Sequence, residues 1–325
     1  GRIRPSKKLA DSVKGMLKGK QEFVLLDEQK VAHGLAMRAI QKATGQGARK
    51  QVLIVRGGPG TGKSVVAINL LSDALVKGWN AAYVSKNAAP RAVYESKLTG
   101  TFRKSQITAL FRGSGQFITT SRDTYDALVV DEAHRLNEKS GLYSNLGENQ
   151  IAEIIRSSRT SIFFLDERQR IHLKDNGSEA EIRDWGAREG AEVEVCDLPS
   201  QFRCNGSDGY LAWLDNMLDV RQTAITSLSG VGYEFIVADS AVQLDQWIRS
   251  RNSGNSARIV AGYCWDWKSK KHPNQNDIVL EGYAAQWNLT EDGSLWITKP
   301  ESIDQVGCIH TCQGLELDYI GVIIG

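Results

Sequence analysis

The sequence lacks any apolar run approaching the roughly 18 residues that a membrane-spanning helix needs. Its first twenty residues are basic and contain no apolar stretch like that of a signal peptide. Only five cysteines, an odd number, are spread over 325 residues, which argues against a disulfide framework. We therefore expect a cytoplasmic protein with no membrane association.

Excess charge of either sign is also missing. The chain has 40 basic and 38 acidic residues, a net charge of +2, which neither supports nor excludes a nucleic-acid partner. A hydrophobic content of 41% and a charged content of 24% are typical of globular proteins and exclude disordered and collagen-like chains. The length suits two domains, and no internal repeat is visible.

Short apolar runs alternate with amphipathic stretches in the first part of the chain. The predicted strands are 51–55, 81–84, 127–130, 161–165 and a strand near 193–195, and the predicted helices include 28–43, 62–76 and 89–97. In the first helix, Val31, Leu35 and Ala39 are expected on the buried face. This βαβ rhythm predicts an α/β fold with a parallel sheet covered by helices on both faces.

After residue 204 the pattern changes. Helices are predicted over 210–218 and 241–248, and strands over 233–237, 258–261, 306–309 and 319–324. We predict two domains, 1–204 and 205–325.

A phosphate-binding loop is indicated by GGPGTGKS at residues 57–64, which follows a predicted strand and opens a predicted helix. Backbone N–H groups of such a loop wrap phosphates, and the helix N-terminus favours the anion. Lys63 would reach the β- and γ-phosphates of ATP, and the Ser64 hydroxyl would ligate Mg²⁺. The other loop residues predicted to hold the nucleotide are Gly58, Pro59, Gly60, Thr61 and Gly62.

Two acids complete this site. Asp131 and Glu132 directly follow the apolar strand 127–130, and the carboxyl end of a parallel strand is where ligands bind. We predict that Asp131 holds Mg²⁺ and that Glu132 orients or deprotonates the attacking water.

Further motifs resemble those of superfamily 1 helicases. SIFFLDERQ at 161–169 resembles their third motif, in which Gln169 would sense the γ-phosphate, and LPSQFR at 198–203 offers Arg203 as an arginine finger. IHTCQGLE at 309–316 resembles a late motif, which would place Thr311 and Gln313 on the nucleic-acid strand and Glu316 on the ribose.

Two upstream strings complete the resemblance. Gln29 in LDEQ resembles the glutamine that reads the adenine edge. KNAAPR at 86–91 falls where the first strand-contacting motif belongs, so Asn87 and Arg91 are candidate nucleic-acid contacts.

The strings DEAHRLNEKSG, QFRCNGSD and IHTCQGLELDYIGVIIG resemble hallmarks of a bacterial family of uncharacterised DNA/RNA helicase-like proteins related to the helicase region of Schlafen proteins. The resemblance implies a P-loop NTPase: a RecA-like domain followed by a second, partial RecA-like domain, with ATP and Mg²⁺ as cofactors. It implies single-stranded DNA or RNA as partner, an attached or partner nuclease, and a role in antiviral defence. The last superfamily 1 motif, with its second arginine finger, is not found, so we expect a chain truncated at its C-terminus.

Three aromatic residues, Tyr263, Trp265 and Trp267, alternate before a lysine-rich stretch. On a strand they would share one face and could either stack on bases, with Trp265 as a contact, or pack in the core. Trp287 and Trp296 are expected in the core.

The leading hypothesis is an ATP-driven motor on nucleic acid. The alternative is a nucleotide-gated switch or scaffold ATPase that recruits a partner without translocation. A small-molecule kinase would leave Gln169, Arg203 and the 309–316 string unexplained.

Overall fold

A computed structural model describes residues 13, 15–18, 25, 27–45, 47–141, 145–166, 169, 176–199, 208–220, 222–223, 225–228, 233–288, 293–308, 312 and 317–325. These residues form two compact units. The first unit holds the described residues from 13 to 86 and from 98 to 235, and the second holds 87–97 and those from 236 to 325. No helix in these ranges is both long enough and apolar enough to cross a membrane. The predicted domain boundary near residue 205 stays a prediction.

The first unit is built on a six-stranded, fully parallel sheet in the order β3-β2-β4-β5-β1-β6. Its strands are β1 Gln51–Gly57, β2 Ala81–Ser85, β3 Phe111–Arg112, β4 Tyr125–Asp131, β5 Ser158–Leu165 and β6 Glu192–Leu198. The α-helices whose bounds the described residues define are α1 Asp27–Ala43, α2 Lys63–Val76, α3 Ala88–Leu98, α4 Lys104–Leu110, α5 Gln150–Ser157, α6 Glu179–Arg188, α7 Asp208–Met217 and α8 Ala241–Arg251. All but α3 and α8 belong to this unit, which confirms the predicted α/β fold.

The central strands are buried because helices flank the sheet. Every residue of β2 is buried, as are the first five of β1 and the last five of β4. This explains why the strands read as continuous apolar runs.

The buried face of α1 differs from the prediction. Val31 is 57% exposed, whereas Ala32, Ala36 and Ile40 are fully buried. Both stripes recur every four residues and both are apolar, so helical spacing alone does not separate them. The small alanine side chains let α1 lie close to the sheet.

The second unit contains a five-stranded sheet in the order β11-β7-β10-β9-β8. Its strands are β7 Ala257–Ala261, β8 Ile278–Leu280, β9 Tyr283–Trp287, β10 Gln305–Cys308 and β11 Tyr319–Ile323. All neighbours are parallel except the β8–β9 hairpin. Trp287 and Trp296 are fully buried, as predicted.

Two predictions for the second half were wrong. Residues 233–237 join neither sheet, and the apolar side chains of Phe235, Ile236 and Val237 are exposed. β7 ends at Ala261, so the alternation of Tyr263, Trp265 and Trp267 is not a strand face. In both places a local apolar pattern has no neighbouring strand, within the part of the chain that the structure describes, with which to pair.

Candidate active site

Three segments that are far apart in the chain meet at one edge of the first sheet. The strand order places β5 between β4 and β1, with all three parallel. Their carboxyl ends therefore bring together the loop after Gly57, the acids Asp131 and Glu132, and Asp166. Such an edge is where α/β sheets bind ligands.

The loop between β1 and α2 has the conformation that phosphate binding needs. Gly62, the residue before α2, has φ 81° and ψ 21°, a left-handed conformation that favours glycine. Among the described residues no side chain caps α2 at Gly62, and the first backbone N–H groups of a helix are the ones that bind anions. The ammonium group of Lys63 donates to the carbonyls of Gly57, at 2.7 Å, and Gly58, at 2.8 Å, and thus lies within the loop.

Gln29 packs against this loop. Its Nε2 donates to the carbonyl of Thr61 at 3.1 Å, and its side chain is 5% exposed. A Cβ at Gly62 would lie 2.2 Å from the same Nε2. The structure thus brings Gln29 to the phosphate loop, and its contact with adenine stays a prediction.

Asp131 is held by several groups at the end of β4. Tyr83 Oη donates to Asp131 Oδ2 at 2.7 Å, and the Glu132 N–H donates to Oδ1 at 3.0 Å. Burial and then the charge of Glu132 raise the pKa of Asp131, whereas hydrogen bonds from Ser64 and Tyr83 and the charge of Lys63 oppose that rise. Ser64 thus lies close enough to Asp131 to affect its pKa, as a shared Mg²⁺ site would require.

Glu132 occupies an unusual backbone conformation. Its φ of 53° and ψ of 42° lie in the left-handed region, which costs a non-glycine residue about 1–3 kcal/mol. Burial alone would raise the pKa of Glu132, but His134, Lys63 and Arg135 together lower it. The side chain is therefore a carboxylate at neutral pH, the form that can accept a proton from water.

His134 connects the ends of β4 and β5. It is fully buried, and its Nδ1 accepts a hydrogen bond from the Asp166 N–H at 3.1 Å. Because Nδ1 is the acceptor, it carries no proton, and the other ring nitrogen, Nε2, lies 3.1 Å from Glu132 Oε2. A movement of the backbone at Asp166 would therefore shift the His134 ring, which lies beside Glu132.

Three contacts around the site were not predicted from the sequence: those of Tyr83, His134 and Gly177. Gly177 packs so tightly on the loop after β4 that a Cβ there would lie 1.7 Å from the Ala133 carbonyl oxygen. A tyrosine in an otherwise apolar, buried strand is a signal for Tyr83, because its hydroxyl needs a partner. Nothing in the sequence pattern marks Gly177.

The remaining predicted site residues lie at the end of β5, in the second unit, or outside the described part of the chain. The Gln169 N–H donates to the Asp166 carbonyl at 3.1 Å, and the side chain is half-buried. In the second unit, Asn87 is buried, Arg91 is half-buried, and Trp265 packs against the core of that unit. The residues outside the described part of the chain are Arg203, Thr311, Gln313 and Glu316.

This geometry coincides with a family match. Residues 50–325 match the family described as Schlafen group 3, DNA/RNA helicase domain. The chain belongs to this family. The predicted relation to the Schlafen helicase region is therefore confirmed, whereas the bacterial origin and the superfamily 1 type stay predictions.

Other similarities are more distant. The uncharacterised protein YPL245W of Saccharomyces cerevisiae is 20% identical over 313 residues, which cover 84% of this chain and 68% of the yeast protein. A DNA replication initiation factor has 13% identity and a TM-score of 0.33, with 77% of this chain and 65% of that one covered. AMPPCP-bound DnaA from Aquifex aeolicus has 14% identity and a TM-score of 0.34, with coverages of 71% and 63%. The chain thus spans less than two thirds of either solved structure, and TM-scores this low establish no shared function.

Proposed function

We propose that this chain is an ATP-dependent nucleic-acid motor, a helicase or translocase of the superfamily 1 type that hydrolyses ATP with Mg²⁺. The observation that carries the proposal is the meeting of three groups at one sheet edge. These are the loop closed by left-handed Gly62, the neighbouring side chains of Ser64 and Asp131, and the carboxylate of Glu132, whose backbone is left-handed.

The groups present fit a magnesium nucleotide. The hydroxyl of Ser64 and the carboxylate of Asp131 are hard oxygen donors of the kind that Mg²⁺ prefers. When bound, Mg²⁺ neutralises negative charge on the phosphate oxygens. Lys63 and the N-terminus of α2 supply positive charge for the phosphates.

Glu132 is the residue that we propose to orient the attacking water and take its proton. His134 Nε2 lies 3.1 Å from that carboxylate, and the other ring nitrogen accepts a hydrogen bond from the backbone N–H of Asp166. Gln169 follows Asp166 closely, so a γ-phosphate sensor at Gln169 would be coupled to Glu132 through His134.

The finer parts of the proposal rest on the sequence resemblance. Hydrolysis would take place between two RecA-like domains, with Arg203 as an arginine finger and Glu316 on the ribose. Asn87, Arg91, Trp265, Thr311 and Gln313 are the proposed contacts with single-stranded DNA or RNA. An attached or partner nuclease and a role in antiviral defence belong to the same proposal.

The test is the steady-state ATPase rate with and without single-stranded DNA, single-stranded RNA and duplex DNA. We expect stimulation by one of the single strands, and its loss in Lys63→Ala and Glu132→Gln. Two matched controls should behave as wild type. Lys77→Ala removes an exposed lysine just after α2, and Glu138→Gln neutralises an exposed acid that follows Glu132 in the chain.

ATP hydrolysis that is indifferent to all three nucleic acids would refute the motor and favour a nucleotide-gated switch. Failure of the wild type to bind ATP, measured with a fluorescent analogue, would refute the nucleotide site itself. ATP binding that survives Glu132→Gln but not Lys63→Ala would support the separate roles given to these two residues.

A further inference from the structure

An aromatic cluster in the second unit is not used by the nucleotide site. The ring centroid of Tyr263 lies 6.2 Å from that of Trp267 and 5.5 Å from that of Trp287. Trp287 is fully buried, Trp267 is half-buried, and Tyr263 is 52% exposed. The cluster therefore leads from the core of the unit to its surface and ends in an aromatic ring that faces solvent.

The exposed ring is held in place rather than mobile on a flexible stem. The Tyr263 hydroxyl donates to Cys308 Sγ at 3.3 Å, and Trp267 and Trp287 lie against the ring. Tyr263 follows β7 by two residues, and Cys308 ends β10, so two neighbouring strands fix its position. A ring that is already fixed loses little conformational entropy when a planar ligand stacks on it.

The loop that follows this ring in the chain is rich in exposed lysines. Lys270 Nζ lies 4.5 Å from the centroid of Trp267, and Lys268 and Lys271 are exposed on the same loop. Between residues 262 and 276 the only acidic side chain is Asp266. An aromatic ring beside several lysines is the arrangement that binds unpaired bases and their phosphates.

We propose that Tyr263 stacks on one unpaired base of a single nucleic-acid strand and that Lys268, Lys270 and Lys271 contact the adjoining backbone phosphates. This inference rests on the proposed motor function and adds a base-stacking subsite that belongs to the second unit. The lysines favour a strand over a mononucleotide, because a strand offers phosphates on both sides of the stacked base.

The test compares two labelled 20-mers by fluorescence anisotropy, oligo(dT) and the same strand with abasic sites, which keeps the phosphates and lacks bases. Tyr263→Ala should weaken binding of oligo(dT) about 5-fold or more, the lower end of what one stacked base contributes. It should change binding of the abasic strand by less than about 2-fold, since phosphate contacts remain. Lys270→Ala should weaken binding of both strands.

The matched controls are Tyr263→Phe and Tyr319→Ala. Phenylalanine keeps the stacking face, so binding should stay within about 2-fold of wild type. Tyr319 is another half-exposed tyrosine of the second unit, 44% exposed on β11, and its removal should not alter affinity. Thermal unfolding of each variant, followed by circular dichroism, checks that the fold is retained.

An equal effect of Tyr263→Ala on both strands, or no effect on either, would refute the stacking subsite while leaving the motor intact. The subsite would also be refuted if Tyr263→Ala weakened binding of a fluorescent ATP analogue and left binding of oligo(dT) unchanged, because the ring would then contact the nucleotide. A wild-type protein that binds neither DNA nor RNA strands would instead refute the proposed motor.

Discussion

Replacing Gly177 by alanine would push a side-chain carbon into the backbone of the loop that carries Asp131 and Glu132. The added Cβ would lie 1.7 Å from the Ala133 carbonyl oxygen and 2.6 Å from its carbon, whereas ordinary contacts begin near 3.4 Å. The obstacle is main chain rather than the end of a flexible side chain. Either the segment at Gly177 or the loop with Asp131 and Glu132 must therefore move by more than about 1 Å.

The expected cost follows from this displacement. Overpacking a well-packed site costs about 1–3 kcal/mol, and a clash between two backbone segments belongs at the upper end. For a unit of this size about 3 kcal/mol corresponds to a fall in melting temperature of roughly 6–12 °C. A shift of about 1 Å at Glu132 would also lower the ATPase turnover, by up to roughly 100-fold.

The assay combines thermal unfolding, followed by circular dichroism, with the ATPase rate measured below the melting transition. Gly34→Ala is the matched control, because the contact that a Cβ there makes among the described residues is with the Arg38 guanidinium of helix α1, at an ordinary 3.5 Å. Alanine in a helix is favoured over glycine by up to about 1 kcal/mol, so the control should be slightly more stable. A Gly177→Ala protein that melts within about 1 °C of wild type and hydrolyses ATP at the same rate would refute this reasoning.

Two other substitutions probe the same unit. His134→Leu replaces the buried ring by an apolar side chain of similar volume and removes both nitrogen contacts, so ATPase turnover should fall about 10-fold or more while the Kd for ATP stays near wild type. A large loss of ATP affinity instead would contradict a positioning role. Lys50→Met removes a buried ammonium that pairs with Asp123 and donates to the carbonyls of Ile155, at 3.1 Å, and Ser158, at 2.6 Å. The free energy of unfolding, measured in urea, should therefore fall by about 2–3 kcal/mol, and a value equal to that of the exposed control Lys77→Met would contradict this expectation.

Much of the first sheet could be predicted from the sequence because its strands are buried on both faces. Runs such as 51–55 and 127–130 are continuous and apolar, and each is followed at once by a glycine loop or by acids. The prediction of a phosphate loop rests on the same kind of local signal, since its residues are contiguous and their order carries the chemistry.

The contacts that hold the site together could not be predicted, because they depend on which strands become neighbours. Tyr83 and Asp131 meet only because β2 lies beside β4, and His134 meets Asp166 only because β4 lies beside β5. Local periodicity assigns residues to strands but does not order the strands. The same limit explains the second unit, where the β8–β9 hairpin was missed and residues 233–237 were wrongly assigned to a strand.

The strand order also affects how this protein can fold while it is being made. β1 is the earliest strand of its sheet to be synthesised, yet both of its neighbours, β5 and β6, are among the latest. At a synthesis rate of about 5–20 residues per second, several seconds pass between the synthesis of β1 and that of the two strands that pair with it. During that interval an apolar strand with two unpaired edges is exposed to association with other chains. Because the phosphate loop gains its rigid support only when β5 and β6 arrive, we expect that ATP does not stabilise a nascent chain that ends before β6.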